Sequence, residues 1–554
     1  MANQKKQRVH LEIQTHRKNP IGILRSSFRK DGKVVHQTYG RLTGMTLEHL
    51  RLIQAAFRGE VVPAGSPEAL QTHSSREYGG CAALLKLARD TGLDKLLSSR
   101  KAPWVDCVLA MVSGRLLYQG SKLSLTNLWE DSAIWELAGV RGKPDVDTHC
   151  YDPMDQLLAK QSRIQKKLAA RHLNGGEMVL YDITSTYLEG EYANSSLADY
   201  GYNRDRKKGK RQVVAGLVCN SEGCPVAVEV FKGNTKDDTT VMDKIRQLKQ
   251  SYGLQRIVFV GDRGMVTPTN YEKIRECGEV ETITALGHGR IIELLESKHV
   301  QLELFDEQHP VEVNDPQYGH RRLILCRNAA TAAKETATRE ALMAKTQAEL
   351  DRIGQTASRQ CTSAETLGIR MGRVFSQYGM GKFVRHRVVD IEVGQKKKPG
   401  KGLQWEWDQA KIDKEKATDG CYVIASDVPA QSMNTQQTVD AYKSLGKVEQ
   451  AFRNLKSASI EIRPVYHKTD DRIRAHAFLC MLSYYLQWHL VQRLRDLFEA
   501  DGKNKDRRWS LQGVLERLKG LRTKKAQLGG VEFDHVDTPD QGQQQILDML
   551  GIRL

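Results

Sequence analysis

The sequence predicts an α/β protein, a mixed sheet with flanking helices, preceded by a helical region and interrupted by a mostly β insertion. Three observations carry this. Strand-like runs and helical spacings alternate between 178 and 286 in the order β-β-β-α-β-α-β. Residues 46–172 hold apolar side chains three and four apart over long stretches. Between 290 and 435, β-like pieces surround one charged helical stretch.

At 554 residues the chain is long enough for several domains. A formal net charge of +17 points to a polyanionic partner, nucleic acid ahead of an anionic membrane. The N-terminus MANQKKQRVH has no hydrophobic signal core, and the longest apolar run, 475–491, is broken by His476, Gln487 and His489. The expectation is a soluble cytoplasmic protein with no membrane partner, nucleoid-associated if the polyanion is DNA. The ten cysteines include no C-x-x-C pair, which suits reduced thiols.

In chain order, residues 1–45 form a basic β-hairpin region. Its Asp31-Gly32 predicts a tight turn between Phe28 and Val34-Val35, and DNA binding and plain solvation fit it equally. Residues 46–172 form a helical domain, for DNA binding or as scaffold.

The stretch 178–189, MVLYDITSTYLE, sets a carboxylate, Asp182, among apolar and β-branched residues. A carboxylate there must be hydrogen-bonded, paired or bound to metal, and the hydroxyls of Thr184 or Thr186 offer the plain solution. The basic run after it contains Arg204, Arg206, Lys207, Lys208, Lys210 and Arg211, with Tyr200 and Tyr202 as stacking surfaces beside it. Two hairpin strands, QVVAGLVCN and PVAVEVFKGN, extend the antiparallel set, and helical spacing over 238–252 follows. Ile257 to Val260 read as a strand buried on both faces, with Asp262 at its carboxyl end, where open α/β sheets place their ligand sites. A turn-capping aspartate is the alternative. A helix over 269–277 and a strand over 280–286 complete the first part of the core, 173–289.

The insertion spans 290–435, with a helical stretch from Ala329 to Ile353 among HRRLILC, RHRVVDIEV, LQWEWDQAKI and GCYVIASD. The second core part, 436–500, opens with a helix over 440–456 whose stripe Leu445, Val448, Phe452 and Leu455 packs on the sheet. Tyr442, Glu449 and Lys456 run along its border with Arg453 close by; a solvated Glu449–Arg453 pair is the alternative. A short strand and a long apolar helix follow, and residues 501–554 read as a C-terminal helical region.

Three carboxylates, Asp182, Asp262 and Glu449, in a strongly basic protein suit phosphoryl transfer with two divalent ions, Mg²⁺ or Mn²⁺, which take hard oxygen ligands. The flanking cations would then hold a phosphate backbone.

These residues resemble the insertion-sequence DDE transposases with a ribonuclease-H-like catalytic core and a β-rich insertion before the final Glu. The resemblance rests on YDITSTYLEG, GYNRDRKKGKRQVVAGLV, EVFKGNTKD, VGDRGM, the Tyr442…Glu449…Lys456 helix and IEIRPVYHKTDDRIRAHAFL, and covers about 178–485. It implies that Asp182, Asp262 and Glu449 are the catalytic, metal-binding triad, and that Tyr442 and Lys456 contact DNA with Arg453, Arg206, Lys207, Lys208, Lys210 and Arg211. The family's signature helix has an Arg where this chain has Leu445, a role that Arg453 or Lys447 could take over. In relatives an aromatic from the insertion stacks on an unpaired base near the cut, which makes Trp405 and Trp407 candidates, with strand packing as the equal alternative. The implied reaction is cleavage at terminal inverted repeats of double-stranded DNA and transfer of the freed 3′-OH ends into target DNA, by a homodimer in the DNA complex. A host nuclease on the same fold and a catalytically inactive DNA-binding relative are the other readings.

Overall fold

Backbone ladders that join segments far apart in sequence organise the chain. The computed structural model describes residues 9–15, 19–30, 33–58, 70–173, 178–205, 207, 209–263, 265–296, 309–313, 315–394, 398–457, 460–501, 508–528 and 531–553. They form two compact units, one of residues 1–160, 457–461 and 482–554, the other of 161–456 and 462–481.

In the first unit, strands β1 (Val9–Gln14), β2 (Ile21–Lys30) and β3 (Lys33–Leu42) make an antiparallel meander. Phe28 faces Val35 and Lys30 faces Lys33, the register that a two-residue turn dictates; Asp31 and Gly32 lie outside the described residues. The helix Leu47–Arg58 buries Leu50 against Leu11 and Met45, a small core of its own.

Strand β4 (Leu70–Glu77) corrects the all-helical expectation for 46–172. It pairs antiparallel with Arg522–Leu528, which pairs in turn with Val531–Val536, so 501–554 is not simply helical either. The sequences LQTHSSRE and RTKKAQL carry almost no apolar alternation. Their strand state rests on a partner more than four hundred residues away, which local pattern cannot reveal.

The second unit begins at Gln161, twelve residues ahead of the expected boundary. The helix Gln161–His172 belongs to it because Gln161 Nε2 donates to the Val228 carbonyl at 2.9 Å and Gln165 Oε1 accepts from Val228 N at 2.7 Å. Its strands are β5 (Met178–Tyr187), β6 (Gln212–Asn220), β7 (Pro225–Lys232), β8 (Ile257–Gly261), β9 (Val280–Ala285), β10 (Val311–Val313), β11 (Arg322–Arg327), the separate hairpin β12 (Val384–Val393) and β13 (Lys398–Trp407), and β14 (Cys421–Ser426).

Eight of these form one mixed sheet in the order β10-β11-β14-β9-β8-β5-β6-β7. β8 is parallel to both β5 and β9, and the other pairs are antiparallel. Gly216 of β6 lies where a Cβ would come within 2.6 Å of the Tyr181 hydroxyl, so the absent side chain makes room for the ring next to Asp182.

The segment 290–435 departs from the expectation of a mostly β insertion. It holds the long helix Ala329–Arg359 and the helices Ala364–Tyr378 and Gln409–Ala417 as well as its strands. Leu350, Ile353, Leu367, Met371 and Val384 form a core cluster among the two longer helices and the hairpin, while β10, β11 and β14 widen the main sheet. The second helix escapes sequence reading because Gly368 and Gly372 interrupt its period.

Candidate active site

Register brings the first two carboxylates together. Tyr181 of β5 lies opposite Gly261 of β8, and one residue further along each strand stand Asp182 and Asp262. Neighbouring parallel strands therefore deliver both at the same sheet end, their backbones roughly one strand spacing, ~5 Å, apart. Each carboxylate accepts the N–H of the next residue, Ile183 N at 2.7 Å and Arg263 N at 2.6 Å. Asp182 is half-buried between the buried side chains of Tyr181 and Ile183, whereas Asp262 is exposed.

Burial pushes the Asp182 carboxyl up to about 7, against the Ile183 N–H bond. Asp262 pushes it further up, Arg204 holds it down, and Glu449 raises it again. Both other carboxylates thus act on Asp182 through space. The three do not close to within 4.8 Å of one another, so the cluster is open.

Glu449 comes from the helix Leu445–Leu455, which packs on β5 and β6 and buries the expected stripe Leu445, Val448, Phe452 and Leu455. The single helix expected over 440–456 is two. Thr435–Lys443 ends at Ser444, whose hydroxyl donates to the Asp440 carbonyl at 2.9 Å, and Lys447 N bonds Ser444 O in a tighter turn.

Tyr442 therefore sits on the preceding helix. Its ring stacks on Tyr422 with centroids 6.3 Å apart. Burial first, then Asp262, push its phenol up to about 12; Arg263 opposes and Glu449 adds to the rise. Two of the three carboxylates thus act on the Tyr442 phenol through space. Leu445 is core, and Lys447 Nζ donates to the Ser221 carbonyl at 2.6 Å. Arg453 is exposed and forms no ion pair with Glu449.

Lys456 is not an open cation. Its Nζ lies 2.9 Å from Asp205 Oδ1, with Arg463 Nη1 at 3.2 Å from the same oxygen. Burial holds the Lys456 ammonium below its ordinary value while Asp205 works the other way. Asp205, 6% exposed, is the residue that sequence reading missed; its signal was the one acid inside NRDRKKGKR. Of the basic run, Lys210 pairs with Glu189 at 2.6 Å, Arg211 lies over Tyr200 at 5.7 Å and Lys207 over Tyr187 at 5.9 Å. Arg206 and Lys208 lie outside the described residues. Trp405 and Trp407 stack edge-on 5.4 Å apart and pack on the core cluster of Leu350, Ile353, Leu367, Met371 and Val384, with Trp405 Nε1 bonded to Asp351 at 3.2 Å.

A family model described as the transposase DDE domain matches residues 175–486, more than half of the chain. The chain belongs to the DDE transposases. No curated protein matches it. As a DDE transposase it is a transposition enzyme with DNA as its substrate, in a family that generally depends on divalent metal. The match spans Asp182, Asp262, Glu449 and everything between them. Burial first, with Asp262 and Glu449 adding to it, raises Asp182, and carboxylate oxygens are of the hard donor type that a divalent cation takes. No helix among the described residues is long and apolar enough to cross a membrane.

Proposed function

We propose that this transposase cuts double-stranded DNA at the terminal inverted repeats of its element and transfers the freed 3′-OH ends into target DNA. Asp182, Asp262 and Glu449 are the residues that would hold two Mg²⁺ or Mn²⁺ ions. The observation that carries this is the one-residue step beyond the Tyr181–Gly261 pair, which sets two carboxylates side by side, with Glu449 acting on the first. The strand order β7-β6-β5-β8-β9, with β6 antiparallel to both neighbours, supports a ribonuclease-H-like core within the second unit, with 290–435 inserted into it.

Ions held by these carboxylates would supply activation of a water or 3′-hydroxyl and stabilisation of the leaving oxygen. The chain's own part is to hold and orient. The N–H groups of Ile183 and Arg263 fix one oxygen of each aspartate. Tyr442, beside Asp262 and Glu449, offers a phenol to the strand being cut. Arg453, Lys207, Lys210 and Arg211 engage backbone phosphates, with Arg206 and Lys208 of the same run. Lys456 acts as a positioning residue that pins this loop through Asp205. A homodimer would pair the two DNA ends.

The test is a cleavage and joining assay on labelled DNA carrying the borders of the gene. Metal-dependent cuts at the repeat ends and joined products are expected. Cutting without end preference or joining would favour a host nuclease, and binding without cutting in either metal an inactive DNA-binding relative.

A further inference from the structure

Arg263, next to Asp262, also lines a pocket of about 590 Å³. The loop after β8, the helix Pro268–Glu276, the end of β9, the start of the helix His288–Glu296 and the segment 316–321 close around it. Its wall is cationic, with Arg263, Arg275, Arg290 and Arg321 against the single carboxylate of Glu272. Arg275 is compensated by Glu272 at 3.3 Å and Arg290 by Glu293 at 2.7 Å.

Arg321 differs from these two. It is 7% exposed, and its guanidinium lies 4.6 Å from the Tyr271 ring centroid. Nη2 donates to Thr284 Oγ1 at 3.3 Å and to the Ala425 carbonyl at 3.2 Å, while the buried Nε has no hydrogen-bond partner. Among the described residues no carboxylate lies within ion-pair distance of it. The nearby Asp427 is engaged by the Tyr271 hydroxyl at 3.1 Å and by Thr282. A guanidinium cannot shed its proton to escape this environment, and Asp427 acts on it through space without forming an ion pair, so a buried Arg in a wall this cationic favours a further anion. Tyr318 adds flat surface against which a sugar can rest. The wall starts one residue from Asp262, so the anion that fits is a phosphodiester with its sugar, with the exposed Arg263 and the remaining Nη1 of Arg321 as the phosphate donors.

We propose that this pocket binds a backbone phosphate of the DNA strand adjoining the carboxylate cluster, between Arg263 and Arg321. The proposal rests on the transposase reading given above.

The test measures binding of the full-length protein, in EDTA, to duplexes carrying the gene's border sequences over a range of salt. Arg263→Ala and Arg321→Gln are each expected to weaken binding about tenfold and to lower the slope of log affinity against log salt by about one. Arg370→Ala, exposed on the helix Ala364–Tyr378, is expected to change neither. Wild-type slopes in both pocket variants would overturn the proposal even where the wild type cuts the same duplexes with Mg²⁺, and a wild type that fails to bind them would overturn both readings. Arg263 is exposed, so Arg263→Ala decides alone if Arg321→Gln does not fold. A rise in the wild-type thermal midpoint with thymidine 5′-monophosphate and no DNA would assign the pocket to a free nucleotide and overturn the backbone assignment.

Discussion

Asp205 and Lys456 join the basic loop to the end of the Glu449 helix, with side chains only 6% and 13% exposed. Removing one partner of such a pair strands the other charge, at a cost of about 3 kcal/mol. Lys456→Ala is expected to lose about that much in urea unfolding, moderated by Arg463, and the double variant with Asp205→Asn to lose less than the two singles together. Strict additivity would contradict the coupling. Asp182 was legible in the sequence because a charge in an apolar strand demands a partner. Asp205 was not, because an acid in a basic run looks like a solvated residue, and only the fold shows what lies above it. Arg321 was likewise hidden inside HRRLILC, where it reads as the flank of a strand.

At the scale of elements, the stripe from Leu445 to Leu455 was legible from periodicity, but the break at Ser444 was not. A serine within a helical period bends the backbone only when its hydroxyl turns back onto the Asp440 carbonyl. The helix carrying Tyr442 is anchored at its start by Glu312 of β10, which accepts from Thr435 Oγ1 at 2.9 Å and from Arg322 Nε and Nη2 at 2.9 and 2.8 Å. The Arg322 hydrogen bond holds the Glu312 carboxyl below the ordinary value of 4.5. A carboxylate depressed on folding stabilises the native state above its ordinary value, and that contribution fades as the pH falls through the lowered one. Glu312→Gln is therefore expected to cost about 1–2 kcal/mol at neutral pH, with the gap to wild type closing in acid below the ordinary glutamate range. A gap that stays constant down the pH scale in denaturant unfolding would contradict this.

Across the whole molecule, the order of strands and helices from 178 to 286 could be read from the sequence, since each element carries its own period. The ladder between β4 and Arg522–Leu528 could not, since neither strand has an apolar face. That ladder decides where the N-terminus can be shortened. Removing residues 1–172 would strip Arg522–Leu528 of its partner and β7 of the helix Gln161–His172, whereas 1–58 carry their own small core. A chain lacking 1–58 is expected to keep the thermal midpoint of the remainder. If the basic meander reads the repeat, the same chain should lose about tenfold in affinity for border DNA at fixed salt. Unchanged affinity would remove that region from recognition.

The central claim is that Asp182, Asp262 and Glu449 act as one metal-dependent cutting site, and Asp262→Asn tests it most directly because Asp262 is exposed and its loss leaves the core intact. Border DNA is incubated with wild type and variant in Mg²⁺, and binding is measured separately in EDTA. The expected result is a loss of cleavage by about a thousandfold, as for several kcal/mol of transition-state stabilisation, with DNA binding retained. A variant that cuts at the wild-type rate would contradict the account.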